Sequence, residues 1–358
     1  MKHSLYIASL MLFFLASCTQ QEKQDNTVIN EGFAKGADIS WLTEQENDGI
    51  KFYNRNNKET DCISVLKSCG MNAVRLRVWV NHSTGWCNKQ DVLDKAKRAY
   101  AQQMRVMIDF HYSDFFCDPS RQNIPEEWTN YDLDQMCEAV AAHTSDVLQS
   151  LKAIGITPKW VQVGNETTNG MLWPMGKLWD DNGDMQDSWK RYVSLSNSGY
   201  DAVKKVFPET KVVIHIDNAW EDRLWWYKKF TAKGGKLDII GLSHYPQTNS
   251  KKSWSEMNTL CATHVDQLSQ TFNVPVIIAE VGTKSANPSL AAQVMTDFVN
   301  KVCISENCEG VFYWEPQVYN GWKPAEYNAL GWGAYDMGAF TSNGQPAEAI
   351  NVLFSVKR

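Results

Sequence analysis

The sequence predicts a single-domain (β/α)8 barrel, and three observations carry that prediction. Eight short apolar, β-rich runs recur along the chain, at Gly36–Ile39, Ala73–Val80, Arg105–Phe110, Trp160–Val163, Lys211–Ile216, Ile239–Ser243, Val276–Ala279 and Gly310–Trp314. Their centres advance by roughly 30–50 residues, the span of a strand, a helix and their loops. Every run also ends in polar or aromatic residues, and in a barrel that end is where the chemistry sits.

Several runs are near-continuously apolar, such as VMI at 106–108 and VII at 276–278, as strands buried on both faces must be. Between them lie helical patterns at Val92–Gln103, Gln135–Ile154, Leu260–Phe272 and Leu290–Val302; in the second, Met136, Val140, Val147, Leu148 and Leu151 share one side. No Pro/Gly/Ser-rich linker interrupts residues 31–358. A doubly wound open sheet is the alternative, but it would carry a glycine-rich phosphate loop after its first strand. Ser40-Trp41-Leu42 stands there instead.

The strand ends read in order as Asp38 and Ser40; Arg75, Arg77 and Trp79; His111 to Asp114; Asn165-Glu166; His215 and Asp217; His244-Tyr245; Glu280; and Trp314-Glu315. Glu166 and Glu280 each follow a buried apolar strand, where a charge is costly unless used or paired. The fourth and seventh strands lie on opposite sides of an eight-strand ring, so the two carboxylates can face each other across its mouth. That is the equipment of glycoside hydrolysis: one carboxyl donates a proton to the leaving oxygen and the other attacks the anomeric carbon.

The chain has 358 residues, a formal net charge of -6 and 15 Trp. The mild acidic excess gives no basic stripe for nucleic acid, and the tryptophan surplus suits core anchors or a groove for flat ligands. At the N-terminus, Lys2 and His3 precede an apolar run from Leu5 to Leu15, too short for a confident membrane span and of signal-peptide length. Leu15-Ala16-Ser17-Cys18 resembles a lipoprotein box. The expected layout is a signal peptide over 1–17, a polar tether over 18–30 and the barrel over 31–358, with the protein exported and anchored to a membrane through lipidated Cys18. An exported chain can form disulfides. Cys87 with Cys117, on neighbouring loops, and Cys303 with Cys308, around a short connection, are the candidate pairs. No zinc-like spacing is present, and DDNGD at 180–184 is the one calcium-like run.

Seven segments then carry a resemblance: KGADIS (35–40), RLRVWVN (75–81), DFHYSD followed by DP (109–119), WVQVGNETTNGMLWP (160–174), GLSHYP (241–246), IIAE (277–280) and GVFYWEP (310–316). Over about residues 33–350 the chain resembles the β-1,4-galactanases of glycoside hydrolase family 53. The resemblance implies a retaining hydrolase of β-1,4-galactan, with Glu166 as acid/base and Glu280 as nucleophile. It implies that Asn165 holds the sugar 2-hydroxyl, that Arg77, with Arg75 beside it, neutralises Glu280, and that His111 and Tyr245 line the −1 subsite over a floor of Trp314. Asp38, Asp114 and His244 complete the expected substrate-binding set. Trp86, Trp128 and Trp322 sit in loops as candidate sugar platforms, whereas Trp225-Trp226 on a following helix are expected in the core. The implied partner is the galactan polysaccharide; some bacterial members carry a calcium site after strand 7 or 8 whose ligands have no match in Gly331–Phe340, so no metal and no cofactor are expected, and a monomer is. Phe115-Phe116-Cys117 departs from the family's usual Thr-Trp-Ala, and His244 replaces a usual Tyr. Another retaining endo-β-1,4-glycanase, such as a mannanase, would share both glutamates, while a non-catalytic glycan-capture protein would be expected to lack one.

Overall fold

The computed structural model describes residues 31–249 and 251–358; the expected signal peptide and tether lie outside the described residues. Eight strands form the closed sheet: β1 (Ala34–Asp38), β2 (Ala73–Val78), β3 (Arg105–Phe110), β4 (Trp160–Val163), β5 (Lys211–Ile216), β6 (Ile239–His244), β7 (Val276–Val281) and β8 (Cys308–Trp314). Each pairs in parallel with its sequence neighbours, and β8 returns to β1 with Ala34 opposite Gly310 and Asp38 opposite Trp314. This is the (β/α)8 barrel that the spacing predicts.

Several helices start where side-chain caps place them. Asp132 and Gln135 form a capping box for Leu133–Ala153, and Asn88 and Asn287 cap Lys89–Ala101 and Pro288–Phe298. The helix expected from Leu260 begins at Trp254, six residues earlier, because Ser253 caps it through the Glu256 N–H. The helix expected to run to Val302 ends at Phe298 and passes into a π turn over Val299–Cys303.

The barrel interior is layered. At the bottom, Ala34, Ala73, Met107, Trp160, Val213, Ile239, Ile277, Ala279 and Phe312 form an apolar plug. The Phe312 ring occupies the space a side chain at residue 36 would need, since a Cβ there would lie 2.2 Å from it, so β1 carries glycine at that point. Above the plug the inward positions turn polar: Asp38, Arg75, Asp109, Gln162 and His215, all completely buried. The apolar residues pointing outward from the strands meet the helices in the main core.

Strand β7 breaks the alternation. Ile277 and Ala279 face inward, yet so does Glu280, while Val281 packs in the outer core. The pairing with β6 slips by one residue between Ile278 and Glu280. This bulge turns two successive side chains to the same face and aims the carboxylate into the barrel.

The expected disulfides are not formed, and all eight described cysteines are free thiols. Cys87 Sγ lies against Arg77 and the Ser40 carbonyl, whereas Cys117 Sγ donates to the His111 carbonyl, so the two point to different partners. Cys308 Sγ turns to the Gly310 carbonyl. The DDNGD run folds as a small hairpin, Trp179–Asp180 with Gly183–Asp184, and Asp184 pairs with Lys229.

Candidate active site

A cavity of about 210 Å³ opens at the C-terminal ends of the strands, lined by His111, Phe116, Cys117, Asp118, Asn165, Glu166, Tyr245, Glu280, Trp314, Tyr327 and Trp332. Beneath it, one guanidinium ties the strands together. Arg75 reaches Asp38 at 2.7 Å, Asp109 at 2.9 Å and Glu280 at 3.1 Å, and donates to Gln162 and to Asn165 Oδ1 (2.7 Å). Burying one cation against three carboxylates is tolerable only with this degree of pairing.

Glu280 is 5 % exposed. Its Oε1 faces Arg75 and its Oε2 accepts the Tyr245 hydroxyl at 2.8 Å. Burial pushes its carboxyl up to about 7, against the pull of Arg75 and Tyr245. Glu166 follows β4 in the left-handed conformation, φ 46 and ψ 49. That geometry is unfavourable for a side chain larger than glycine. Here the Glu166 N–H donates to His215 Nδ1, and its carbonyl, with that of Asn165, accepts from Gln122. Burial and the charges of Glu280 and Asp217 hold the Glu166 carboxyl well above the carboxylate range. No cation among the described residues pairs with it. The two carboxyls thus differ in environment: Glu280 touches a guanidinium and a phenol, and Glu166 faces negative charge. Such a difference separates an acid from an ionised partner.

Burial pushes both inner histidines toward the neutral form. Burial depresses His111, whose Nε2–H bonds Asp109 at 3.0 Å while Nδ1 accepts the Cys117 N–H. Burial and Arg75 depress His215, whose Nδ1 accepts from Glu166 and whose Nε2 meets Ser243 at 2.8 Å. Asn165 spans the site, accepting from Arg75 through Oδ1 and donating to the Cys117 carbonyl through Nδ2.

Several residues stand elsewhere than the sequence suggests. Arg77 does not reach Glu280. It pairs with Glu315 at 3.5 Å and lies over the rings of Phe116 (4.4 Å), Trp79 (4.9 Å) and Trp41 (5.7 Å), so Arg75 is the guanidinium at Glu280. Asp38 is sealed under the cavity, held by Ser40 and Arg75. Asp114 staples two loops, accepting from the Asn81 and Glu126 N–H groups. His244 points out of the barrel, bonded to Asn258 at 2.8 Å and stacked on Phe298, because Ser243 takes the inward position in β6. Trp322 is buried behind the site, edge-on to Trp41 with its indole N–H on Asp48. Trp128 is likewise buried, beside His143. Trp86 is half-buried in the loop after β2 and does not line the cavity. Trp314 does line it, propped edge-on by Trp41 and Tyr335.

Sequence reasoning passed over Asp109, Gln162, Tyr327 and Trp332. Asp109 had a signal, a lone charge inside the apolar run RVMIDF. Trp332 had none, because its loop of glycines and mixed residues has no periodicity to place it.

The chain matches the model of glycosyl hydrolase family 53 over residues 34–353. It is 30% identical to the arabinogalactan endo-β-1,4-galactanase of Thermothelomyces thermophilus, over 89% of this chain and 98% of that protein. It is 32% identical to that of Cellvibrio japonicus, over 88% and 87%. A solved fungal β-1,4-galactanase superposes with a TM-score of 0.76 at 28% identity, covering 90% of this chain and 98% of its own. The chain therefore belongs to glycosyl hydrolase family 53, a family of retaining glycoside hydrolases.

Proposed function

We propose that the protein is an endo-β-1,4-galactanase that cleaves galactan with retention, using Glu280 as nucleophile and Glu166 as acid/base. The observation that carries this reading is the contrast between two carboxyls in one cavity, Glu280 held by Arg75 and Tyr245, and Glu166 buried beside the charges of Glu280 and Asp217 with the Ser243 hydroxyl as its hydrogen-bond partner. Ionised Glu280 attacks the anomeric carbon as Glu166 gives its proton to the departing O4 of the next galactose. The covalent galactosyl-enzyme then breaks when Glu166, now a carboxylate, takes a proton from the attacking water. Trp314, Tyr327, Trp332 and Phe116 supply flat faces for sugar C–H groups, and Asn165 supplies an amide donor. Galactan-directed relatives favour this substrate over mannan or xylan, and reducing-end release from the three polymers compares them directly.

The acid/base assignment has its own test. Glu166→Ala should turn over aryl galactosides with good leaving groups far better than galactan, because these need no proton in the first step. Added azide should restore rate and give the β-galactosyl azide. An α-azide, or no rescue, sinks the assignment.

The Leu15-Ala16-Ser17-Cys18 box supports attachment to a membrane by lipid on Cys18, with the catalytic body at the end of a polar tether. Cys18→Ala should move the protein from the membrane pellet to the soluble fraction. Unchanged processing and pelleting would remove the anchor from the reading.

A further inference from the structure

Trp225 was expected in the core on sequence grounds, and its neighbour Trp226 is there, completely buried. Trp225 itself is 46% exposed. It is the second residue of the helix Leu224–Ala232 that follows β5, so it stands on the same face of the barrel as the strand ends. Against it leans Trp179, from the loop after β4, with ring centroids 5.9 Å apart and planes inclined by 53°. Trp179 is half-buried against the main core and Trp225 is exposed, so together they leave an apolar ledge on a water-facing rim that something flat could cover. Beside them the hairpin tip, Asp180 to Asn182, is exposed and rich in hydrogen-bonding groups.

Both indoles hang from the turn that carries Glu166. The 3-10 turn Thr167–Asn169 follows it directly. Asn169 clamps the Trp179 backbone on both sides, its Oδ1 accepting the Trp179 N–H at 3.0 Å and its Nδ2 donating to the Trp179 carbonyl. Thr168 fixes the other partner, its carbonyl accepting the Trp226 indole N–H at 2.7 Å next to Trp225. Hydrogen bonds thus tie the Trp179 backbone, and the helix turn that carries Trp225, to the segment that follows the acid.

We infer that Trp179 and Trp225 form a remote platform for the galactan chain on the leaving-group side of the cleavage point. The direction follows from the chemistry. The general acid must touch the departing oxygen, so the leaving chain runs out over the loop after β4, which bears Glu166, and its neighbour after β5. The two inclined ring planes suit a chain that bends between successive sugars, as axial O4 linkages require, and the exposed hairpin tip can bond its hydroxyls. The inference rests on Glu166 being the acid of a galactan hydrolase.

The test is the double variant Trp179→Ala/Trp225→Ala, with Trp225→Ala alone as the milder form. Substrates are long unbranched galactan and an aryl β-galactobioside, which has no sugar on the leaving side. We expect kcat/KM on long galactan to fall about five- to tenfold, the size of one aromatic contact, with the aryl substrate unchanged and the melting temperature of the single variant preserved. Retardation in galactan gels, using a Glu280→Gln background to block turnover, should weaken in parallel. Equal loss on both substrates, or no loss on the polymer, overturns the platform. Failure of the unaltered protein to cleave either substrate would instead strike the galactanase reading, while gel retardation lost with the tryptophans would still support the platform.

Discussion

Glu280→Ala should lose on the order of 10⁴- to 10⁶-fold in kcat on every galactoside, including those with good leaving groups, the scale seen when a covalent nucleophile is removed. No covalent intermediate can form without it, so a better leaving group offers no relief, in contrast to Glu166→Ala. The same change should leave stability equal or higher, because it removes a buried carboxyl whose ionisation burial already disfavours. Kinetics with aryl galactosides and a urea unfolding curve together separate the roles. Residual activity above about one part in a hundred would place the nucleophile elsewhere, and collapse of the fold would make Glu280 structural.

Arg75→Met should have the largest effect on the fold. It removes the one guanidinium shared by Asp38, Asp109 and Glu280. Leaving buried carboxylates unpaired costs about 3–5 kcal/mol, read as a lower urea midpoint. Arg75→Lys keeps a charge but cannot span three partners, so it should fall between the two. Activity should show a second signature. With the guanidinium gone, the Glu280 carboxyl rises further above its value of about 7, and the fraction ionised at a given pH falls. The acidic limb of the kcat/KM profile should therefore move to higher pH in Arg75→Lys, and further in Arg75→Met if it folds. An unmoved limb with reduced stability would confine Arg75 to a structural role.

The barrel was legible because its signal is repetitive: eight apolar runs at near-regular spacing leave few other ways to bury them. Glu166 and Glu280 were legible as charges at the ends of such runs. What periodicity could not supply was direction. Counting in twos from Ile277 sends Glu280 outward, and only the bulge before it brings it in. Arg75 and Arg77 share a strand face and differ in which layer they reach, so the sequence alone did not separate the guanidinium at Glu280 from the one under the aromatic cluster. His244 and Tyr245 differ by one step of alternation, which decides whether a side chain meets helices or cavity. The loop tryptophans were least legible, since nothing local distinguishes Trp322, folded under Trp41, from Trp225, which faces water.

The seam between β1 and β8 has a consequence for how the enzyme comes into being. Ala34 pairs with Gly310, and the Trp41 N–H just after β1 rests on both carboxylate oxygens of Glu315 just after β8. Trp41 in turn props Trp314 in the cavity wall. These contacts join segments some 270 residues apart, among the most sequence-distant in the molecule, and such contacts form against the greatest loop-closure entropy. During synthesis the first seven strands emerge before their partner for β1 exists. Hydrolytic competence is therefore expected only once the seam closes, and recovery of activity on refolding should then lag behind the recovery of helical signal.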